Sequence, residues 1–227
     1  MVLTLPPLDT LQETYRGLTT EGLMHRALTQ DFPSGLAMVS SFGTESAVLL
    51  HLMAQVNPAL PVLFLDTEKL FPETLEYVQT LTQHLSLTNV HWLKPDPLIH
   101  QDDPDGTLWQ RDVDRCCELR KVLPLQKALT PYRAWITGRK QYHGGSRTTL
   151  PPIEYDGTHY KINPLYNWPF ARLRYHMETN GLPDHPLLDS GYLSVGCVPC
   201  TKPATHTADP RAGRWSDREK DECGIHF

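Results

Sequence analysis

No apolar run in this 227-residue chain approaches the length of a membrane span, and the opening MVLTLPPLDT has neither a basic n-region nor an apolar h-region. A membrane or secreted protein is therefore disfavoured, and a cytoplasmic location is expected. A surplus of positive charge is also missing. The chain carries 21 Lys and Arg against 26 Asp and Glu, a formal net charge of −5, which argues against a general binder of nucleic acid or membrane surfaces. An anionic ligand must meet a local basic patch. Internal repeats and low-complexity runs are absent. The five cysteines are an odd number, and a cytoplasmic compartment disfavours structural disulfides, so metal binding or redox chemistry is expected of them. The stretch HQDDPDG (100–106) lacks the spaced ligands and closing Glu of a calcium loop and reads as a solvated acidic loop.

What is present is enough for one main domain, since 40% of the residues are apolar. GLAMVSSF (35–42) reads as a buried strand, and TESAVLLHLMAQV after it has apolar residues at helical spacing. PVLFLD (61–66) is a second strand, and FPETLEYVQTLTQHL restarts a helix with Pro72 in its first turn. NVHWLKP (89–95) and RAWITG (133–138) continue the pattern, separated by the helical DRCCELRKVLPLQKAL. The fold class is α/β, an open and mostly parallel sheet with helices on both faces, and ligands of such sheets bind at the carboxyl ends of the strands. From about residue 182 the chain turns Pro-, Gly-, Ser- and Thr-rich. The expected organisation is a domain over residues 1–205 followed by a flexible tail over 206–227 that carries Cys223.

Three groups of residues carry chemistry. SSFGTES (40–46) lies at a strand-to-helix junction, where small residues and Gly43 admit backbone N–H groups to an anion and a helix start near Thr44 offers unsatisfied donors. The same residue types also make ordinary turns and caps. Cys116 and Cys117, with Cys197 and Cys200 of CVPC, form two close pairs that can converge on one metal centre if the fold returns the loop to the helix. Adjacent helical cysteines point about 100° apart, which is awkward for a single zinc ion and is relieved by different iron corners of a cluster; structural zinc is the alternative. The third group is basic: Lys121 lies one helical turn after Cys117, and Arg211 and Arg214 sit in a glycine-containing stretch where guanidinium forks suit phosphate or sulfate oxygens.

Taken in order, SSFGTES, LDTEKLFPETLEY, CCELRKVLPL, WITGRK, INPLYNWPF, CVPC and GRW…ECGIH resemble the assimilatory adenylyl-sulfate (APS) reductases, relatives of the phosphoadenylyl-sulfate (PAPS) reductases. The matches run from about residue 38 to 226. The resemblance implies an adenine-nucleotide alpha-hydrolase-like fold and a place in assimilatory sulfate reduction toward cysteine. It implies that Cys223 is the nucleophile, taking the sulfonyl group from APS and yielding it as sulfite to thioredoxin or glutaredoxin. It implies a [4Fe-4S] cluster on Cys116, Cys117, Cys197 and Cys200. Lys121, Arg211, Arg214 and His226 would contact the phosphate and sulfate, while Ser40, Ser41, Gly43 and Glu45 match the modified phosphate-binding loop. Leu65 and Thr67 of LDT are expected at the adenosine.

The chain departs from the family after WITG, where RKQYHGGSR replaces the usual RRDQS-like run. The resemblance leaves Arg139, Lys140 and Arg147 without roles there, and Arg139 or Lys140 is expected as an anion contact. Phe42 stands where ATP-cleaving relatives have a glycine of SGGxDS, which reduces close backbone approach to a pyrophosphate. The other readings are a PAPS or dual APS/PAPS reductase, an ATP-dependent adenylating sulfurtransferase with Cys223 as sulfur carrier, and a noncatalytic redox sensor. Partners in nucleic acid or membrane are not expected, and the oligomeric state is open, a homo-oligomer included.

Overall fold

Strand β1 (Leu36–Ser40) is buried along its whole length. So are β2 (Val62–Leu65) and β4 (Ala134–Ile136), as the near-continuous apolar runs require of strands covered on both faces. The computed structural model describes residues 5–204, 209–217, 220 and 222–226. Within them the chain starts with α1 (Leu8–Arg16) and α2 (Thr20–Arg26), the latter widening into a π-turn over Ala27–Asp31. After β1 come α3 (Ser46–Val56), β2, α4 (Pro72–His84) and β3 (Val90–Leu93). Short helices α5 (Ile99–Asp102), α6 (Leu108–Arg111) and α7 (Val113–Cys117) lead into α8 (Leu123–Leu129) and β4. The hairpin β5 (Ile153–Tyr155) and β6 (Tyr160–Ile162) and helix α9 (Phe170–Thr179) complete the order.

The strands form one sheet in the order β3-β2-β1-β4-β6-β5. All pairs are parallel except β5 with β6. β1, β2 and β3 build outward to one side while β4 returns to the other side of β1. The order therefore reverses between β1 and β4, and a crevice opens beyond their carboxyl ends. Period-two alternation splits the core. Leu36 and Met38 join the larger cluster under α1–α4 and α9, while Ala37 and Val39 join Leu63, Leu65, Trp135 and α8 on the opposite face. In α4, Pro72 fills the first turn and Thr74, Tyr77, Val78 and Leu81 make the buried stripe.

Three departures from the sequence reading have physical causes. The helix over the cysteine pair is not uniform: between α7 and α8 it widens into a π-turn, Glu118–Val122, closed by the Leu123 N–H on the Glu118 carbonyl. Pro124 follows immediately and cannot give an N–H to the turn before it. The acidic stretch is not a solvated loop throughout. Residues 99–102 are helical, and Asp103 is buried where it accepts from Arg120 Nη2 at 2.7 Å, because a cation buried in the π-turn needs a counter-charge. Finally, β5 and β6 are joined at Asp156-Gly157, where Gly157 takes φ +95° and the Asp156 carboxylate accepts from the Thr158 and His159 N–H groups.

The 205/206 boundary expected between domain and tail lies outside the described residues. Residues 209–217 fold back onto the domain: Thr201 bridges Arg214, the Lys202 N–H donates to the Gly213 carbonyl at 2.9 Å, and Trp215 is buried.

Candidate active site

The crevice beyond β1, β2 and β4 is lined by Ser40, Ser41, Gly43 and Glu45 from the β1–α3 junction. Leu65 and Thr67 enter it from the end of β2, Lys121 from the π-turn, and Arg139 and Lys140 from the end of β4. The tail supplies Arg211, Arg214, Cys223 and His226. Every substrate-contact residue expected from the sequence thus reaches one cleft, together with the proposed nucleophile.

The β1–α3 junction differs in detail from the expected glycine loop. The left-handed residue is Phe42, at φ +47°, fully buried and packed edge-on against Phe64. Its N–H donates to Ser40 Oγ at 3.2 Å. Gly43 does not have a positive φ, and a Cβ there would meet Ser41 Oγ and the Val195 carbonyl only at ordinary distances. Its small size keeps the cleft open rather than permitting a special backbone shape. The helix begins at Ser46, two residues later than expected, with Glu45 at the cap position.

Glu45 is firmly held in the cleft. It accepts from Lys140 Nζ at 2.6 Å, from the Tyr142 hydroxyl, and approaches His143 Nε2 at 3.1 Å. Burial alone would raise its pKa, but Lys140 and His143 drive it well below the usual carboxylate range. Arg139 is likewise committed, to Glu154 and Thr137. Burial, more than any other influence, pulls the Arg139 guanidinium below its ordinary pKa. Arg139 and Lys140 therefore line the cleft as paired cations.

The four cysteines lie within electrostatic range of one another, Cys116 of Cys197 and Cys200 and Cys117 of Cys197. The CVPC loop is fastened by an antiparallel bridge from Cys197 to Leu70 and by the Val198 N–H on the Lys69 carbonyl at 2.8 Å. Cys197 Sγ lies 3.2 Å from Thr67 Oγ1 and within hydrogen-bonding reach of Lys121. Cys116, Cys117 and Cys197 are buried and Cys200 half-buried, and no disulfide joins the five cysteines. Burial raises the Cys116 and Cys117 thiols, Cys117 to about 11, while Cys197 is held below its ordinary value because Lys121, Thr67 and Arg214 outweigh its burial. Among the described residues no three Cys, His, Asp or Glu side chains are grouped as ligands of a single metal ion. A cluster asks for a different arrangement, because each thiolate binds its own iron. The donor set suits that: four thiols from two elements, Cys116 within electrostatic range of Cys197 and Cys200, and Lys121, Arg120 and Arg214 beside them to balance thiolate charge.

Four residues of the tail motif ECGIH, those flanking Cys223, each have a distinct place in the fold. Glu222 is gripped by Arg147 and Arg211, Gly224 turns the chain at φ +82°, and Ile225 packs on the Ala37, Leu125 and Trp135 cluster. His226 stacks on Trp135 with centroids 5.4 Å apart and planes 10° from parallel. Burial and the cations Arg139, Arg147 and Lys161 hold His226 neutral, well below its ordinary pKa. Upstream, Arg214 donates to the Val195 carbonyl at 3.2 Å and lies over the Trp215 ring, and the Trp215 backbone N–H donates to the Cys200 carbonyl. A Cβ at Gly196 would meet the Arg214 guanidinium, so a side chain there requires Arg214 to shift. Among the described residues, His226 Nδ1 and Arg214 Nε are buried without a partner, an arrangement that suits a ligand supplying acceptors.

Arg147, Glu222 and Trp135 are the site residues that sequence reading left without roles. Their signal is long-range: Arg147 and Glu222 are 75 positions apart. No helix among the described residues is long and apolar enough to cross a membrane.

Comparison with known proteins accounts for this assembly. Residues 35–203 match the family model described as phosphoadenosine phosphosulfate reductase domain. An adenosine 5'-phosphosulfate reductase of Mesorhizobium japonicum is 43% identical over 96% of this chain and 86% of its own length. One from Chelativorans is 44% identical over 96% and 89%. Among solved structures, the PAPS reductase of Candida auris in a phosphate complex superposes with a TM-score of 0.74 at 30% identity, covering 86% of this chain and 97% of that one. The FMN adenylyltransferase of Candida glabrata shares the fold alone, at a TM-score of 0.59, 17% identity and coverage of 91% and 70%. The sheet order and these matches agree on a PP-loop-like, adenine-nucleotide alpha-hydrolase fold, and the chain belongs to the APS/PAPS reductase family.

Proposed function

We propose that the protein is a cytoplasmic, thioredoxin- or glutaredoxin-dependent APS reductase of assimilatory sulfate reduction, working through an S-sulfonated Cys223. The observation that carries this reading is the position of Cys223. A thiol from the tail lines the same cleft as the β1–α3 anion corner, with Lys121, Arg211 and Arg214 around it.

The chemistry follows from that placement. With adenosine beside Leu65 and Thr67, the phosphosulfate lies among Lys121, Arg211 and Arg214, whose charges stabilise the oxygens as the bond breaks. The Cys223 thiolate attacks the sulfate sulfur; an S–S bond forms, the S–O bond to the phosphate breaks, and AMP departs with the electron pair. His226, neutral and with Nδ1 unpartnered, offers a donor or acceptor to the same oxygens. A partner thiolate then attacks Cys223 Sγ and sulfite leaves with the bonding pair. The partner's second thiol resolves the mixed disulfide, so its two electrons reduce the sulfur and Cys223 returns as a thiol.

Cys116, Cys117, Cys197 and Cys200 would hold a [4Fe-4S] cluster, which supplies a compact charged group beside the substrate site. Lys121, next to Cys197 and facing Cys223, is the residue of this chain that links the two. Burial opposes its charge, but the thiols of Cys197, Cys223 and Cys117 outweigh this and keep it protonated.

APS is favoured over PAPS because Arg139 and Lys140, the cations at the end of β4, are already paired to Glu154 and Glu45 and leave no evident charge for a further phosphate. The left-handed, fully buried Phe42 counts against a pyrophosphate-cradling loop and so against an adenylating sulfurtransferase.

The test is anaerobic sulfite formation with thioredoxin, APS against PAPS, with intact-mass detection of an SO3 adduct. Cys223→Ser should bind nucleotide and keep its iron and sulfide content while forming no sulfite. Sulfite release by that variant would end the covalent mechanism, and absence of adduct and sulfite from the wild type with either nucleotide would return the sulfurtransferase reading.

A further inference from the structure

Glu222 sits immediately before the thiol and is held more firmly than any catalytic duty assigned so far requires. Arg147 donates to it through two nitrogens, Nε to one carboxylate oxygen at 2.6 Å and Nη2 to the other at 2.9 Å. Arg211 Nη1 adds a third bond at 2.8 Å. One arginine comes from the body of the domain, in the turn after β4, and the other from the tail's own preceding loop. Arg147 is itself braced by His143 Nδ1 at 3.0 Å. Both guanidiniums are largely buried, with 11% and 16% of their side chains exposed. A two-pronged bond to one arginine and a shared oxygen to the other fix orientation as well as distance.

On simple charge grounds this carboxylate is out of place. It opposes formation of a thiolate on the next residue, and it neutralises two arginines that line an anion-binding cleft. Burial would raise its pKa, yet Arg147 and Arg211 hold it down at about 2, so it is an anion at any working pH. What it supplies is geometry. With Glu222 bolted on one side of Cys223, and the Gly224 turn and Ile225 anchor on the other, the thiol is held at two points over the cleft.

We propose that Glu222 is a positioning residue for Cys223: the Arg147–Glu222–Arg211 bridge sets where the nucleophile stands in the docked tail. The inference rests on the reading of Cys223 as nucleophile for its kinetic consequence, but its structural consequence can be read independently.

The test compares wild type with Glu222→Gln in three measurements. Hydrogen exchange of the amides of residues 222–226, without substrate, should rise several-fold in the variant while the sheet is unchanged. Single-turnover sulfonation of Cys223 at saturating APS should slow by on the order of tenfold, as expected for the loss of charge-assisted bonds, with KM for APS unchanged or lower because two arginines are released to the anion. In a Glu222→Gln/Arg147→Gln pair the second change should add little to tail exchange, since both remove the same bridge. A role through charge alone makes the opposite prediction: tail exchange unchanged, and sulfonation faster once the carboxylate's effect on the thiolate is gone. That result, or a rate within twofold of wild type, or a raised KM with an unchanged rate, overturns the proposal. A wild-type protein that forms no adduct refutes the reductase reading instead, and the exchange measurement then still decides whether the bridge positions the tail.

Discussion

Truncating Ile225 to alanine isolates the apolar half of tail docking. Ile225 is half-buried against the cluster of Ala37, Leu125, Leu129 and Trp135 on the α8 face of the sheet. A fully buried isoleucine cut to alanine costs about 2–5 kcal/mol; for a half-buried side chain at the edge of a cluster, about 1–2 kcal/mol is expected, or roughly a 5–30-fold smaller docking constant. The cost falls on the tail. The cluster beneath is built by β1, β2, β4 and α8, whose packing does not depend on the tail, so the melting temperature of the domain should hardly move.

The assay is hydrogen exchange of residues 222–226, paired with thermal unfolding followed by circular dichroism. Exchange should accelerate within the range just given, and Ile225→Val should show a smaller change in the same direction. If the tail is mostly docked in the wild type, turnover should fall with the docked fraction while nucleotide affinity is little changed. The reasoning is refuted if tail exchange is unchanged, or if the melting temperature drops by several degrees while the tail remains protected; either would mean Ile225 is not what fastens the tail.

Three further outcomes follow from other contacts. Gly224→Ala places a side chain at φ +82°, a left-handed conformation costing about 1–2 kcal/mol; its Cβ would meet Val122 only at 3.5 Å, so tail exchange should rise from backbone strain, and unaltered exchange would rule out this turn. Asp103→Ala removes the buried counter-ion of Arg120 and leaves it only the half-exposed Glu68 at 3.5 Å; it should destabilise the domain by about 3 kcal/mol, visible in urea unfolding, and a loss below 1 kcal/mol would show that the pair is not supporting the cysteine helix. Docking should also weaken as pH falls through about 6.5, where an undocked His226 takes a proton that the docked one, its pKa depressed by burial and by Arg139, Arg147 and Lys161, does not bind. The docked state then binds fewer protons, so docking strength is fully present above the undocked pKa and declines below it. Tail exchange corrected for intrinsic rates, measured at pH 7.5 and 5.5, should show this in wild type and not in His226→Gln; equal behaviour of the two proteins would sink the assignment.

Residue types whose chemistry is written into adjacent positions were legible in the chain itself. The buried strands announced themselves as apolar runs, and the two cysteine pairs by their spacing. The β1–α3 junction did so through small residues between an apolar strand and a helical pattern, even though the left-handed position proved to be Phe42 and not Gly43. The π-turn left only a faint trace in Pro124, because a regular helix and one widened by a residue share nearly the same apolar pattern. The β5–β6 hairpin carried an Asp-Gly signal, but strands of three residues are too short to display alternation.

The partners of charged residues were the least legible. LysArg-rich stretches declare that cations are present and say nothing of which ones are already spent, and here the answer decides the site. Arg139 and Lys140 read as anion contacts, yet the fold pairs them with Glu154 and Glu45 from other elements. Arg147, in the run that departs from the family pattern, binds the tail through Glu222. Such pairings arise only once β4, the β1–α3 junction and the tail converge at the switch point of the sheet, where a carboxylate's effect depends on which buried cation it meets. That is why the ECGIH segment, which carries the cysteine proposed here as nucleophile, needed the fold to reveal its division of labour: an ionic bridge before the thiol, a left-handed turn after it, an apolar anchor, and a neutral imidazole stacked on Trp135. On the proposed mechanism, a tail held by several contacts of moderate strength, each reversible, would close over a nucleotide and still release Cys223 to a second thiol, which one deep hydrophobic anchor would prevent.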